Sequence, residues 1–333
     1  MMPSLVLILS KRVLLYNGPS NLDTGRGGNK IYSKHGEKTV YSHFQSASSE
    51  TKETCMQNAI PDNQPPGQDQ PLLSHPLLSD SFLEALVAEI DIEQIRGIIL
   101  GGSQARGDAT PYSDVDLACF VPNSFRPLHK RFLYRRDHLI SIGLKTLEGV
   151  QQQLTDPYQA LWIVPSFQQA RILLDKDGSM HQLKQMVENF TWEPLRKEAI
   201  GYAGHILTCN AEFIHKLLGN IWKGNLSGVA YATARLFDDA TKIMALSHPV
   251  FITTDSLYYQ EVEAAVGLDT TWTHYHCQLT GAKTSAEDIS SIEARGKLVL
   301  LLYRETAQFL WPTLNEEYRS VVEQVLSLIK QVV

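Results

Sequence analysis

Two short apolar runs, separated by a glycine turn and followed by turn residues, constrain the fold of this 333-residue chain more than any other feature. Residues 95–100 read IRGIIL and run directly into Gly101-Gly102-Ser103. Residues 114–121 read DVDLACFV and end at Pro122. Short apolar runs bounded by turn residues are typical of buried strands. The order strand, turn, short helix and strand therefore predicts the beginning of a small α/β domain.

Further elements extend this domain on both sides. Ser79, Asp80 or Ser81 can cap a helix that ends near Asp91, because apolar residues recur there at helical spacing. Downstream, the pattern predicts a basic helix over residues 128–136, a strand over 139–144, a helix over 147–154 and a strand over 170–174. The domain is predicted to span residues 79–178.

The pattern changes at about Met180, where helical periodicity takes over. Helices are predicted at about residues 183–190, 193–222, 229–246, 257–266, 287–309 and 314–329. Because no strand pattern interrupts them, residues 179–333 are predicted to form an all-helical bundle domain on the substrate or partner side. The predicted fold class is α+β, with a small α/β domain followed by a helical one.

Residues 1–78 have a different composition. From Asn17 to about His75 the chain is rich in Ser, Asn, Gln, Gly and Pro, and its sparse apolar residues show no period. Such a segment buries too little apolar surface to offset its ordering entropy, so we expect a disordered N-terminal extension, with Met56 as an alternative start. The apolar runs at residues 5–9 and 13–16 are shorter than the ~20 residues of a membrane helix. No membrane partner is expected.

Charge and cysteine content limit the classes of function. Lys+Arg 30 against Asp+Glu 36 give a formal net charge of -6, which provides no general attraction for polyanions. No extended nucleic acid is therefore expected as a partner. The four cysteines lie far apart and form no CxxC pair, which favours reduced thiols in a cytoplasmic protein.

The residues between the two apolar runs predict a phosphate and metal site. A Gly-Gly-Ser turn that opens a helix can present backbone N–H groups and the Ser103 hydroxyl to an anion. Asp114 and Asp116, two residues apart at the start of a strand, have both carboxylates on one face. Adjacent carboxylates repel each other unless a cation compensates, and their oxygens suit Mg²⁺ beside a phosphate. A Walker A loop is excluded because no Gly-Lys-Ser/Thr follows the glycines.

The sequence GGSQARGDATPYSDVDL at residues 101–117 resembles the signature GGSxARGx(5)SDxDL of the polymerase-β-type nucleotidyltransferase superfamily, in the style of small bacterial and aminoglycoside nucleotidyltransferases. The resemblance implies a nucleotidyltransferase-type domain with a mixed sheet. It also implies transfer of a nucleoside monophosphate from a nucleoside triphosphate, ATP by default, to the hydroxyl of an unidentified small-molecule acceptor. Pyrophosphate would be released, and two Mg²⁺ ions would serve as cofactors.

The same resemblance implies roles for individual residues. Asp114 and Asp116 would be the catalytic residues and the metal ligands. Arg106 would brace the motif through a salt bridge, and Ser113 would cap or orient the loop before Asp114. The nucleotide-binding residues implied are Gly101, Gly102, Ser103, Arg106, Gly107 and Ser113.

The third carboxylate of the family is missing from its expected position. In the family, an acidic residue on a later strand deprotonates the acceptor hydroxyl and shares a metal, whereas the corresponding strand here has Ser141 and no acidic residue nearby. Asp137 precedes this strand and Glu148 begins the next helix, so both are candidates for the third carboxylate. The departure leaves open an alternative function as a catalytically weak or inactive nucleotide-binding regulatory module of the antitoxin type.

The acceptor side has weaker signals. Asp238 and Asp239 are candidates because related two-domain enzymes bind cationic acceptors with acidic groups of the helical domain; a solvated or capping role is the alternative. The basic run from Lys130 to Arg136 can line the nucleotide or an anionic acceptor, or form a solvated face. Nucleotidylation of a protein or RNA end is a further alternative to a small-molecule acceptor.

Overall fold

A five-stranded mixed sheet lies at the centre of the N-terminal half of the described chain. The structure, a computed structural model, describes residues 78–125, 130–281 and 291–333, so the predicted N-terminal extension lies outside the described residues apart from Leu78. The strands are β1 (Gly97–Leu100), β2 (Val115–Phe120), β3 (Arg131–Arg135), β4 (His138–Lys145) and β5 (Arg171–Asp175), in the spatial order β3-β4-β2-β1-β5. Strands β2 and β4 run parallel, and the other neighbouring pairs are antiparallel. The predicted mixed sheet is confirmed.

The described helices run in chain order around this sheet and beyond it. They are α1 (Asp80–Ile90), α2 (Gly102–Arg106), α3 (Leu147–Thr155), α4 (Pro157–Gln168), α5 (Ser179–Glu188), α6 (Arg196–Trp222), α7 (Leu226–Ser247), α8 (Tyr258–Val266), α9 (Thr271–Thr280), α10 (Ile292–Leu310) and α11 (Glu316–Ile329). Short 3-10 helices lie at Glu193–Leu195, Asp255–Leu257 and Trp311–Thr313. Helix α1 begins after Ser79, whose side chain accepts a hydrogen bond from the Phe82 N–H.

Alternation along β2 gives the sheet two different faces. Val115, Leu117 and Cys119 are buried in one core with Phe82 and the other apolar residues of α1. The intervening residues point to the opposite face, where Phe120 joins a second core formed with helices α3 to α11. Because successive strand residues point to opposite faces, Asp116 and Ala118 share the side of the sheet that faces the helices.

Residues 128–136 do not form the predicted basic helix. Residues 128 and 129 lie outside the described residues, and Arg131–Arg135 is strand β3, paired antiparallel with β4. The two strands are joined by Arg136 and Asp137, which have φ of 47° and 64° and form a tight two-residue turn. The aromatic residues Phe132 and Tyr134 favour an extended edge strand, and pairing with β4 outweighs the helical spacing of the basic side chains.

The remaining elements follow the sequence pattern closely, with two omissions. A turn at Gly224, which has φ +64°, separates α6 from α7. The Asn225 side chain caps α7 by accepting a hydrogen bond from the Gly228 N–H. Helices α4 and α9 were not predicted as helices, since proline, histidine and short apolar runs obscure their periodicity. The helix predicted from residue 287 begins, within the described chain, at Ile292.

One apolar core spans the predicted domain boundary. It contains Ile99 and Phe120 from the sheet and continues through the helices to Ile329. The described residues fall within one compact unit, Gly67–Val333. The boundary between residues 178 and 179 stays a prediction. Across the described ranges, no helix combines the length and the apolar character that crossing a membrane requires.

Candidate functional site

The Gly-Gly-Ser turn lies directly against the aspartate strand. The Gly101 N–H donates to the Asp116 carbonyl oxygen at 2.8 Å. Gly102 has φ +63°, and a Cβ at this position would lie 2.6 Å from Asp116 Oδ2. Both the left-handed backbone and the close approach therefore require glycine. As a result, the backbone at the start of α2 and the Asp116 carboxylate share one side of the site.

Asp114 and Asp116 form a pair of carboxylates that favours a cation. Burial, followed by the negative charge of Asp116, raises the pKa of Asp114 above its ordinary value. The ammonium group of Lys130 lies 3.7 Å from Asp116 Oδ1 and compensates part of this charge. In the described ranges no group of three or more His, Cys, Asp or Glu side chains could hold a metal ion. A divalent cation here would therefore need ligands from a substrate or from water in addition to the two carboxylates.

The other motif residues close the turns around this pair. Arg106 donates from Nε to Asp108 Oδ2 at 3.1 Å and from Nη1 to the Thr253 carbonyl oxygen at 3.5 Å. Ser113 Oγ accepts from the Thr110 N–H at 2.8 Å, closing the turn that precedes Asp114. Gly107, with φ +87°, ends α2. The bracing role of Arg106 and the orienting role of Ser113 stay predictions.

A cleft of about 500 Å³ opens beside the carboxylates, between the sheet and the helices. Its floor is formed by the small residues Ala118 and Gly143, next to Asp116 and Ser141. Small side chains on a sheet face leave space that bulky ones would fill. The volume falls in the range of small-molecule sites, roughly 300–1,000 Å³. A groove of about 540 Å³ along α9 contains none of the predicted site residues.

The wall opposite the sheet comes from helix α4 and from the helical part of the chain, residues 179–333. Helix α4 contributes Trp162, Ser166 and Phe167, and the segment from Ile252 to Asp255, before and at the start of a 3-10 helix, completes the wall. Arg106 touches this segment through Thr253, so the motif helix and the far wall are joined directly. The motif and the helical part therefore form one cleft.

Ser141 occupies the position beside Asp116 on the neighbouring strand. Asp116 and Ser141 are register partners in the parallel pair β2 and β4. Because Ile140 and Ile142 are buried on the α1 side, Ser141 points to the same face as Asp116. Ser141 is 1% exposed, and its hydroxyl has no hydrogen-bond partner among the described residues. The strand thus has a neutral hydroxyl where a third carboxylate was expected.

The two candidate third carboxylates lie at other levels of β4. Asp137 is exposed in the β3–β4 turn, four residues before Ser141, which is about 13 Å along an extended strand. Glu148 is exposed on α3, beyond the other end of β4, and accepts a hydrogen bond from Asn123 Nδ2. Neither residue lines the cleft, and their assignment as the third carboxylate stays a prediction.

Two lysines add positive charge to the cleft. Lys130 is the part of the predicted basic run that lines it, whereas Arg135 pairs with Glu89 and the Arg136 guanidinium lies over the Phe82 ring. Lys145, at the inner end of β4, was not singled out from the sequence. Burial and the nearby charge of Lys130 lower the pKa of Lys145, and its ammonium makes no ion pair within the described chain. Its alternation with Ser141 on one strand face was the signal available in the sequence.

The predicted acceptor residues lie apart from this cleft. Asp238 is exposed on α7, and burial of the Tyr259 ring followed by the charge of Asp238 raises the pKa of Tyr259. Asp239 is 9% exposed; burial raises its pKa, and Arg235 lies 3.6 Å away. Neither carboxylate lines the cleft. Their role in acceptor binding stays a prediction.

Parts of the chain are similar to a known protein family and to a solved structure. Residues 81–158, from α1 to the start of α4, match the family model described as nucleotidyltransferase domain. This match supports the resemblance to the polymerase-β-type superfamily and nucleotidyl transfer as the reaction class. A solved nucleotidyltransferase-like protein from Exiguobacterium sibiricum 255-15 is similar to 74% of this chain and to 89% of its own, with 13% identity and a TM-score of 0.42. No curated protein matches the chain.

Proposed function

We propose that the nucleotidyltransferase domain at residues 81–158 transfers a nucleoside monophosphate from a nucleoside triphosphate, ATP by default, to the hydroxyl of a small-molecule acceptor. Pyrophosphate would be the second product. The observation that carries this proposal is the contact of the Gly102 turn with Asp116 at the mouth of a cleft large enough for a substrate. We assign the Ile252–Asp255 part of the closing wall to a helical domain at residues 179–333, with helix α4 forming the rest of that wall, and the reaction to the cytoplasm.

The carboxylate pair fits Mg²⁺. Asp114 and Asp116 offer hard oxygen ligands on one strand face. Burial and then the charge of Asp116 raise the pKa of Asp114, and a divalent cation would relieve the repulsion between the two carboxylates. Oxygens of the triphosphate and of water would supply the cation's remaining ligands. Bound Mg²⁺ would supply charge stabilisation on the transferring phosphate and on the departing pyrophosphate.

The chain's own groups would position the nucleotide. Backbone N–H groups at Gly102 and Ser103 would donate to the outer phosphates, since α2 begins there. Lys130 and Lys145 would offset the charge of the triphosphate, because its four negative charges together with those of Asp114 and Asp116 exceed the four positive charges of two Mg²⁺ ions. Trp162 on the opposite wall would exclude water from the reacting atoms.

Pyrophosphate release tests this function. Purified protein is incubated with Mg²⁺, each of the four NTPs and a panel of hydroxyl compounds, and the expected result is pyrophosphate formed in step with a nucleotidylated acceptor. Asp114→Ala and Asp116→Ala should both lose Mg²⁺-dependent NTP binding and keep their fold by circular dichroism. Unchanged NTP binding in both variants would overturn the site assignment.

A nucleotide-binding regulatory module is the second candidate, and Ser141 favours it, because the position beside Asp116 has no ionisable group. The same assay separates the two functions. Tight Mg²⁺-dependent NTP binding without pyrophosphate release, across the whole acceptor panel and with water, would support the regulatory module. Including a tRNA and a tyrosine-containing protein in the panel tests nucleotidylation of an RNA end or a protein.

A further inference from the structure

We infer that Asp255 supplies the carboxylate that strand β4 lacks and acts as the general base toward the acceptor hydroxyl. This inference rests on the proposed nucleotidyl transfer. It assigns a catalytic role to the helical part of the chain, on the wall of the cleft that faces the sheet.

Strand β4 has a neutral side chain, and no carboxylate, beside Asp116. Ser141 is the register partner of Asp116, and its hydroxyl is 1% exposed with no hydrogen-bond partner among the described residues. An alcohol is too weak a base to take a proton from an acceptor hydroxyl near neutral pH, whereas a carboxylate can do so. The proton acceptor therefore has to come from another element that reaches the same cleft.

The carboxylates that line this cleft limit the choice of the proton acceptor. Within the described ranges these are Asp116, assigned to the cation, and Asp255, on the opposite wall. The remaining charged groups on the described lining are Lys130 and Lys145, which are assigned to phosphate, and Arg106, which is already held by Asp108 and Thr253. Asp255 is thus the lining carboxylate that the nucleotide site does not use.

Hydrogen bonds hold the segment before Asp255 in place. The Ile252 N–H donates to the Leu161 carbonyl oxygen at 2.8 Å, and the Thr253 N–H donates to Glu261 Oε2 at 3.0 Å. Arg106 joins the same segment to α2. Catalytic groups act efficiently when their support holds them in place before the substrate binds.

The Asp255 carboxylate itself is open to a ligand. It is exposed at the start of the 3-10 helix and makes no ion pair or side-chain hydrogen bond to any part of the chain that is described. Its oxygen lone pairs are therefore available to accept an O–H hydrogen bond from an acceptor. An acceptor lying over Ala118 and Gly143 would have Asp116 on one wall of the cleft and Asp255 on the other.

The proton and electron balance of the step is simple. The acceptor O–H proton passes to a carboxylate oxygen of Asp255 while the acceptor oxygen forms a bond to the α-phosphorus. The bond from the α-phosphorus to the bridging oxygen breaks, and that oxygen keeps the electron pair in the departing pyrophosphate. Asp255 returns its proton to solvent before the next turnover.

Asp255→Asn tests the inference in the full-length chain. Asparagine keeps the size of the side chain and removes the base, so we expect kcat for pyrophosphate release to fall about 100- to 10,000-fold. The dissociation constant for Mg²⁺ and a non-hydrolysable ATP analogue should stay within about threefold of the unsubstituted protein. Asp269→Asn is the matched control, because Asp269 is an exposed loop aspartate in the helical part that does not line this cleft.

Rescue provides a second readout. Adding Ser141→Asp to Asp255→Asn puts a carboxylate beside Asp116 on β4, and we expect at least about a tenfold recovery of kcat in Mg²⁺. A purely structural role of Asp255 would not be restored by a carboxylate on the opposite wall. A folded double variant that shows no recovery would contradict the exchange of roles between these two positions.

The outcomes separate this inference from the proposed function. Absence of pyrophosphate release by the unsubstituted protein, with every acceptor and with water, overturns both. Turnover by the unsubstituted protein that Asp255→Asn retains within about threefold overturns the role of Asp255 and leaves nucleotidyl transfer standing. A fall in nucleotide affinity that accounts for the whole loss of activity also overturns it, because a general base acts on kcat.

Discussion

Strands β2 and β4 are parallel neighbours, yet they contribute differently to the cleft. On the helix-facing side, β2 contributes Asp116 and then Ala118, whereas β4 contributes Ser141, Gly143 and Lys145. One strand therefore adds negative charge at the mouth of the cleft, and the other adds a neutral hydroxyl there and positive charge farther in. Under the proposed function, this asymmetry means that the sheet would hold the nucleotide and the cation and would leave acceptor activation to another element.

The motif residues lie close together in the sequence, whereas the rest of the cleft comes from distant segments. The Gly102 turn and Asp116 are close in sequence, so their spacing already determines their contact. Asp255 reaches the cleft from a position 139 residues after Asp116 in the sequence, and no local pattern relates the two. A motif identifies the half of a site that one supersecondary unit builds.

Substitution of Asp116, the charged residue that β2 contributes to the cleft, should have the largest effect. Asp116→Asn keeps the shape of the side chain and removes a cation ligand, so we expect pyrophosphate release to fall by about 1,000-fold or more. Steady-state kinetics at saturating Mg²⁺ and NTP measure this loss. Ordinary turnover in the variant would show that β2 does not differ from β4 in the way described.

Gly102→Ala should have the next largest effect. The left-handed backbone costs an alanine roughly 1–2 kcal/mol, and its Cβ would lie against Asp116 Oδ2, which must then move. We expect about a 100-fold loss of activity from displacement of this carboxylate. Gly178→Ala is the control, because Gly178 has φ +79° with open space around its Cβ position. It should lose similar stability in urea unfolding and keep its activity.

Ser141→Ala tests the contribution of the neutral hydroxyl on β4 to stability. The buried hydroxyl has no partner among the described residues, so its removal should raise the free energy of unfolding by about 1 kcal/mol. Thr306→Val is the opposite case, because Thr306 Oγ1 accepts from Trp272 Nε1 at 2.9 Å. That variant should lose about 1–2 kcal/mol. Destabilisation by Ser141→Ala would mean that its hydroxyl does have a partner in solution.

Lys145→Met should have the smallest effect, and its sign depends on pH. Because burial lowers the pKa of Lys145 in the folded state, the unfolded state binds more protons between that pKa and the ordinary value of 10.5. The resulting penalty is full below the folded pKa and disappears as pH rises through this window. We expect the variant to be slightly more stable at neutral pH, and urea unfolding at several pH values should show the gain fading toward 10.5. A gain that grows with pH would contradict this sign.

Much of the fold could be predicted because local signals agreed with it. Ser79, Gly224 and Asn225 begin or end helices through caps that the sequence displays. Strand β3 could not be predicted, because its edge pairing with β4 is a tertiary interaction that outweighs the helical spacing of the basic residues. Helix α9 was missed because its apolar face is interrupted by polar residues such as His276, which is buried and hydrogen-bonded to Glu263 and Thr241.

The candidate site could likewise be predicted only in part. The sequence located Asp114, Asp116 and the glycine turn, and it correctly indicated that no acidic residue lies on β4 at Ser141. It did not locate Lys145 or Asp255, because each is recognisable as a cleft residue only when the sheet face and the opposite wall are both known. Charged residues with no motif around them look alike in a sequence, whether they face solvent or a cleft.

The hydrogen bond from Arg106 to the Thr253 carbonyl oxygen joins residues 147 positions apart. Long-range contacts of this kind form late, because closing a long loop has to precede the gain from the contact. During synthesis, the complete motif leaves the ribosome well before the segment that closes the cleft. The strand–turn–helix unit can therefore pair and pack while the cleft is still open on one side, and the order of folding is the order in which the site becomes complete.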